Sequence, residues 1–128
     1  MTRFLSATVM LGVEHPPTSA EWWRRAGFDV AATDAEFQDG QTYNWARLER
    51  GEAALMLTLG SREAAESAPV QLFFSVTDAD AVFGELCSEF GEDLRVLEEP
   101  TDRHYGMRDF WIRNEDGFEL GFGHPIGA

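Results

Sequence analysis

Glu119 is the residue whose type and position point most directly to chemistry. It lies in the segment 118–122, where large apolar residues occupy every second position, namely Phe118, Leu120 and Phe122. In a β-strand this period places the apolar side chains on one face and Glu119 on the other. A carboxylate held on the face that does not feed the core is either ordinary solvated surface or part of a cleft that binds a ligand.

The residues before Glu119 predict a β-hairpin that would hold this carboxylate in place. Residues 109–113 alternate polar and large apolar side chains, and Asn114–Gly117 has the composition of a turn. Two short strands folded about that turn would place Glu119 within the second strand. Its neighbours on the same face would then come from the preceding strand.

The rest of the chain predicts the same order of elements twice. The first half predicts strands at 4–13, 28–31, 42–50 and 53–59, with a helix capped by Thr18 or Ser19 and ended by Gly27. The second half predicts strands at 71–77 and 94–97, a helix capped by Asp78 and running through Phe90, a loop at 98–103 and the hairpin. The small and polar residues 60–69 predict a linker. We therefore expect one domain over 1–128, built from similar modules at about 1–60 and 70–128.

Composition excludes several classes of partner. The chain has 128 residues, with 23 acidic and 10 basic side chains, which gives a formal net charge of −13. This charge repels phosphate backbones and anionic membrane surfaces, so we expect no nucleic-acid or membrane partner. No apolar run approaches the roughly 18 residues needed to span a bilayer. The single cysteine, Cys87, cannot form an internal disulfide, which is typical of a cytoplasmic protein.

The other residues with reactive side chains form no recognisable motif. The three histidines, His15, His104 and His124, share no spacing typical of a metal site and are expected in loops or in the C-terminal tail. Cys87 is expected to be buried on the second helix, where Leu86 and Phe90 share its apolar face. The sequence shows neither a serine nucleophile motif nor a glycine-rich phosphate loop.

Three segments resemble a known superfamily. They are EWWRRAGF in the first half, and VTDADAVFGEL followed by YGMRDFWIRNEDGFELGFG in the second. Their order and composition resemble the vicinal oxygen chelate superfamily, which includes glyoxalases, extradiol dioxygenases, fosfomycin-modifying enzymes and bleomycin-resistance proteins. The superfamily's aspartate-proline-aspartate-glycine turn is nearly matched by Asn114–Gly117, which lacks the proline. The resemblance implies an α+β fold of two βαβββ modules, whose curved mixed sheets surround a cup and are completed in a homodimer.

The resemblance also implies where a metal ion would bind. Ligands in the superfamily come from the first, fifth and eighth strands and sometimes from the fourth. Glu119 occupies the eighth-strand position and Gln71 the fifth, and both are weak candidates. The first strand offers no His, Asp or Glu, and the fourth offers only Met56 and Thr58. Because a catalytic metal site needs about three protein ligands, we expect no metal and no other cofactor, which favours a binding protein over an enzyme.

Strand alternation predicts which residues would line the cup. They are Trp45, Arg47, Met56, Gln71, Phe73, Trp111 and Glu119. Such a lining suits a planar or amphipathic molecule, because aromatic faces stack on rings and attract cations. We therefore predict a bleomycin-resistance-like protein that binds and sequesters a cationic or aromatic small molecule without catalysis.

Two other hypotheses stay open at the level of sequence. One is a metal-dependent lyase or transferase similar to glyoxalase, which would use Gln71, Glu119 and one divalent metal ion. The other is a structural or regulatory dimer whose cup binds nothing. The identity of the ligand and the arrangement of the dimer are not encoded in any motif recognised above.

Overall fold

A computed structural model describes residues 2–35, 42–60 and 70–127. The chain divides into two compact units, Met1–Ser61 and Arg62–Ala128. The first unit contains β1 (Val9–Val13), α1 (Pro16–Arg25), β2 (Asp29–Thr33), β3 (Trp45–Arg50) and β4 (Ala53–Leu59). The second contains β5 (Gln71–Ser75), α2 (Ala79–Phe90), β6 (Arg95–Asp102), β7 (Met107–Arg113) and β8 (Glu119–Pro125). Beyond its first residue, the predicted linker lies outside the described residues.

Each unit is a four-stranded mixed sheet with one helix, and the two sheets have the same topology. The strand order is β1-β4-β3-β2 in the first sheet and β5-β8-β7-β6 in the second. The outer pairs β1–β4 and β5–β8 are parallel, and the remaining pairs are antiparallel. The prediction of an α+β fold with a repeated βαβββ module is therefore confirmed. Of the helices that the structure describes, neither is long and apolar enough to cross a membrane.

The core of the first unit lies between α1 and one face of its sheet. Alternate residues of the two central strands, Ala46 and Leu48 on β3 with Leu55 and Leu57 on β4, are buried. Trp23 is also fully buried, and its ring packs edge to face against Trp22 and Phe28, with centroid distances of 5.3 and 5.0 Å. Burial of these large rings stabilises the packing of α1 in this core.

The core of the second unit is a row of phenylalanine rings. Phe74, Phe122 and Phe110 are neighbours in the register of β5, β8 and β7. Their rings stack in sequence with centroid distances of 5.1 and 5.0 Å. Phe83 of α2 then packs against Phe110 at 5.1 Å. The period-two apolar pattern read from the sequence therefore identifies the face that α2 covers.

The second helix has both ends that the sequence predicts, whereas the first ends before Gly27 as predicted but begins differently. Asp78 caps α2 by accepting a hydrogen bond from the backbone N–H of Ala81. The cap of α1 is His15, and not Thr18 or Ser19, because α1 begins at Pro16. Proline is favourable in the first turn of a helix, where its missing N–H has no partner to lose.

Most strands have bounds that differ by a few residues from the predicted ones, and three differences are the largest. The first strand begins at Val9 instead of Phe4, and the third begins at Trp45 instead of Thr42. The predicted loop 98–103 is largely part of β6, which runs through Pro100 to Asp102. A proline is tolerated there because β6 is an edge strand, whose outward N–H groups need no partner.

Candidate functional site

The face of the second sheet opposite α2 brings together most of the predicted site residues. We call it the Glu119 face, and its members are Gln71, Phe73, Glu98, Asp109, Trp111, Arg113, Glu119, Gly121 and Gly123. The strand register arranges them in rows. Gln71, Glu119 and Arg113 form a polar row at one end, and Phe73, Gly121 and Trp111 form an aromatic row beside it.

In the polar row, both carboxylate oxygens of Glu119 accept hydrogen bonds. Nε2 of Gln71 donates to Oε1 over 3.0 Å, and Nη2 of Arg113 donates to Oε2 over 3.1 Å. The hydrogen bond from Gln71, followed by that from Arg113, lowers the pKa of Glu119 below its ordinary value. Glu119 is therefore ionised at neutral pH, but Arg113 compensates its charge.

Arg113 is a member of this row that sequence reasoning did not identify. It lies directly across the hairpin from Glu119 in the register of β7 and β8. The signal was available, because residues at equal distances from the centre of a hairpin turn face each other. Counting outward from the turn would have paired the two charged residues.

The aromatic row lies directly on the backbone of the central strand. The ring centroids of Phe73 and Trp111 are 6.1 Å apart, and their planes are inclined by 45°. The indole of Trp111 occupies the space over Gly121, and Cζ of Phe73 lies beside the space over Gly123. Phe73 is 46% exposed, which is unusual for a phenylalanine in the middle of a strand. The two rings thus form an accessible apolar surface.

The end of the face beyond the aromatic row carries an ionic network that the sequence analysis did not predict. Asp109 is only 2% exposed, and its carboxylate accepts hydrogen bonds from Nε of Arg103 at 2.8 Å and from the hydroxyl of Tyr105 at 3.0 Å. Arg103 also pairs with Glu98, which faces Trp111 in the strand register. Partial burial and the hydrogen bond to Asp109 raise the pKa of Tyr105. The strand alternation that located Trp111 also places Asp109 on this face.

The first unit has a corresponding set on the face of its sheet opposite α1. Trp45, Arg47 and Met56 are all half-buried there, and Arg47 faces Met56 in the register of β3 and β4. Nε of Arg47 donates to Oε2 of Glu49 over 2.8 Å. The structure therefore places these three predicted residues on one face of their own sheet. Their contact with a ligand stays a prediction.

The donor set on the Glu119 face does not fit a catalytic metal ion. Gln71 and Glu119 are bonded to each other, and the guanidinium of Arg113 places a positive charge 3.1 Å from the carboxylate. A divalent ion would have to compete with that charge and would still need a further ligand. Among the described residues, no group of three or more His, Cys, Asp and Glu side chains could hold a metal ion.

The histidines have structural contacts instead. Nδ1 of His15 accepts a hydrogen bond from the backbone N–H of Thr18 at the start of α1. His124 lies within β8, and not in a tail as predicted, and its Nδ1 accepts from the backbone N–H of Ala79 over 2.9 Å. His104 is exposed in the turn before β7. In each of the α-helices α1 and α2, a histidine nitrogen thus accepts a hydrogen bond from a backbone N–H of the first turn.

Comparison with solved structures confirms that the fold is of the vicinal oxygen chelate type. TioX from Micromonospora sp. ML1 superposes with a TM-score of 0.75, at 19% identity, over 97% of this chain and 98% of that one. The bleomycin-binding protein from bleomycin-producing Streptomyces verticillus, in complex with copper(II)-bleomycin, gives 0.73 at 20% identity over the whole of both chains. The bleomycin resistance determinant encoded on the transposon TN5 gives 0.75 at 18% identity, over 97% and 100% of the two chains.

At identities of 18–20%, these superpositions establish a common fold and nothing further. No protein-family model matches the sequence, and a search of curated proteins gives no significant match.

Proposed function

We propose that this protein binds an aromatic, cationic small molecule on the Glu119 face and sequesters it without chemical change. The observation that carries this proposal is the accessible pair of rings, Phe73 and Trp111, lying on the glycines of β8 between two polar groups of residues. Planar ligands gain about 0.5–1.5 kcal/mol per aromatic pair beyond the burial of apolar area. A ring-lined surface with few polar groups is typical of a binding site for small organic molecules.

The charges on this face favour a cation near Trp111. The row that contains Glu119 is neutral overall, because Arg113 compensates the carboxylate. The other polar group pairs Arg103 with both Asp109 and Glu98 and therefore carries one net negative charge. A cation held between Glu98 and the indole face would gain about 1–2 kcal/mol when desolvated. The net charge of −13 adds long-range attraction for such a ligand.

The structural neighbours support the same class of ligand. Among the proteins that share the fold are bleomycin-binding proteins solved with bleomycin or copper(II)-bleomycin. Bleomycin is therefore the first probe to use with this chain. The Glu119 face supports a sequestering role, because it offers aromatic and hydrogen-bonding contacts and a donor set that does not suit catalysis by a metal.

We also infer that the protein acts as a homodimer. Phe4 is 100% exposed and Leu5 is 87% exposed in the segment before β1. On β1 itself, Val9 and Met10 are 38% and 51% exposed, and β1 is an edge strand of its sheet. Large apolar side chains in a row beside a strand edge are typical of an association surface. A second copy of the chain would cover them.

Isothermal titration with bleomycin tests the binding function. We expect saturable binding by the wild-type protein and a loss of about tenfold or more in affinity for Trp111→Ala, since stacking and burial of the indole would both be lost. Trp111→Phe should retain part of the affinity. Val30→Ala, which trims an exposed apolar residue of β2, is the matched control and should bind as the wild type does. Absence of saturable heat with bleomycin and with other cationic aromatic compounds would refute this ligand class.

Elemental analysis tests the remaining metal-dependent alternative. Protein purified without chelator should contain no stoichiometric divalent metal, because the guanidinium of Arg113 opposes a cation at Glu119. One equivalent of metal that disappears in Glu119→Ala would instead favour a lyase or transferase.

A further inference from the structure

We propose that Gly121 and Gly123 determine the specificity of the Glu119 face, because they allow the rings of Trp111 and Phe73 to lie directly against the sheet. The inference rests on the proposed function and names the feature of the ligand that is selected, which is a flat conjugated ring. Both glycines are buried in the central strand β8.

Backbone conformation does not account for these glycines. Six glycines of the described chain have positive φ, and neither Gly121 nor Gly123 is among them. Both are paired in the ladder with β5 and β7, where any residue could adopt the extended conformation. A glycine within a strand weakens it and often marks the close approach of another group. The reason for glycine must therefore lie in the space above it.

The space above Gly121 is filled by one side chain. A Cβ built on Gly121 would lie 2.5 to 2.7 Å from three atoms of the Trp111 indole, and those are its nearest neighbours. Carbon atoms in contact are normally about 3.5–4.0 Å apart, so an alanine would lift the indole by about 1 Å. The indole of the wild-type protein therefore lies closer to β8 than a residue with a Cβ at position 121 would allow.

Gly123 has a similar role but a more crowded surrounding. Its built Cβ would lie 2.8 Å from Cζ of Phe73, 2.9 Å from Cβ of Asp109 and 3.1 Å from the carbonyl oxygen of Arg108. Here the ring is one of several neighbours, and one of them is backbone. Moving Phe73 alone would leave the other two short contacts in place.

The height of the rings has a direct consequence for ligand choice. The indole packed against Gly121 presents one ring face, onto which a planar conjugated group stacks. An indole lifted at one edge by a Cβ would be tilted, and the ligand ring would lose parallel contact. A puckered saturated ring makes few such contacts in either case. The glycines therefore favour aromatic cations over saturated cations of the same charge.

A double-mutant cycle tests whether the indole and Gly121 are coupled. Gly121→Ala should destabilise the wild-type protein but cost little in a Trp111→Ala background, because the removed indole no longer meets the new Cβ. Gly123→Ala should be only partly rescued by Phe73→Ala, since Asp109 and Arg108 still obstruct it. Gly84→Ala on α2, where a Cβ meets nothing within 4 Å, is the control and should not destabilise the protein. Full additivity of Gly121→Ala and Trp111→Ala would overturn the proposal.

Two further measurements separate this proposal from the proposed function. In protein labelled with fluorotryptophan, the resonance that Trp111→Phe removes should shift in Gly121→Ala and stay unchanged in Gly84→Ala, without any ligand present. In titrations, the affinity for bleomycin should fall about tenfold in Gly121→Ala. The affinity for a saturated cation of equal charge should fall less. If Gly121→Ala binds both ligands with unchanged affinity and selectivity, the proposal that Gly121 determines the ligand specificity of this face is overturned. If the resonance shifts in Gly121→Ala but the wild-type protein binds none of the probes, the proposed function is overturned instead.

Discussion

Arg113 and Glu119 face each other across the hairpin of β7 and β8, and the guanidinium Nη2 donates to the carboxylate Oε2 over 3.1 Å. Because Gln71 donates to the other oxygen, the carboxylate is held in one orientation. The pair contributes no net charge to the face. Both oxygens of Glu119 therefore have hydrogen-bond donors from within this sheet.

Removal of this charge should change how stability depends on pH. The pKa of Glu119 is lowered by Gln71 and Arg113, so the folded state binds its proton less readily than the unfolded chain does. The resulting stabilisation is present at neutral pH, above the ordinary glutamate pKa of about 4.3, and is lost as pH falls through the lowered pKa. Glu119→Gln should therefore be less stable than the wild type at pH 7, and the difference should shrink below about pH 4. Urea unfolding of both proteins across this pH range measures the difference in stability. A difference that stays constant with pH would contradict the prediction.

The stability of the hairpin turn should depend strongly on Asn114. This residue is 1% exposed, and its Oδ1 accepts from the backbone N–H groups of Asp116 and Phe118 at 3.1 and 3.0 Å. Asn114→Ala should lower the free energy of unfolding by about 2 kcal/mol, because two backbone donors lose their acceptor at about 1 kcal/mol each. Chemical denaturation measures this. Asn114→Asp keeps an acceptor oxygen and should lose less, and equal losses in both variants would mean that the two hydrogen bonds do not stabilise the turn.

The elements that the sequence predicted well are those with complete local signals. The bounds of β4 and α2 agree with prediction because a turn precedes β4 and because Asp78 and Gly91 mark the two ends of α2. The face that carries Glu119 also follows from local alternation, since Phe118, Leu120 and Phe122 are all buried. A local pattern of alternating residues is sufficient to predict the buried face of a strand when a helix covers that whole face.

Elements that depend on a distant partner were predicted less well. Residues 4–8 have the composition of a strand, but β1 pairs with β4 from Leu55 onward, and β4 begins just after the turn at Gly51. In this parallel register residue 7 would lie opposite Ala53, the first residue of β4, so residues 4–6 have no residue of β4 to pair with. The bond between His124 and Ala79 and the network around Asp109 depend equally on which strands become neighbours. Such contacts can be predicted only when the register of the paired strands is known.

His124 should stabilise the start of α2. Its Nδ1 accepts from the backbone N–H of Ala79, one of the helix donors that lack a partner within the helix. His124→Ala should therefore lower the free energy of unfolding by about 0.5–2 kcal/mol. His124→Asn places an acceptor oxygen at a similar position and should retain most of the stability. Amide exchange of the first turn of α2 should accelerate in His124→Ala but not in His124→Asn, and equal exchange in both would contradict the capping role.

The exposed segment before β1 should control self-association. Burying a phenylalanine and a leucine contributes about 1.5–3 kcal/mol each, so their loss should weaken a dimer by well over about tenfold. The wild-type protein should sediment at twice the mass of the chain, and Phe4→Ser with Leu5→Ser should shift it toward the monomer without lowering its unfolding midpoint. Val30→Ser, an exposed apolar residue of β2, serves as the control and should remain dimeric. A monomeric wild-type protein at high concentration, or a double variant that associates as strongly as the wild type, would show that Phe4 and Leu5 are not covered by a second copy.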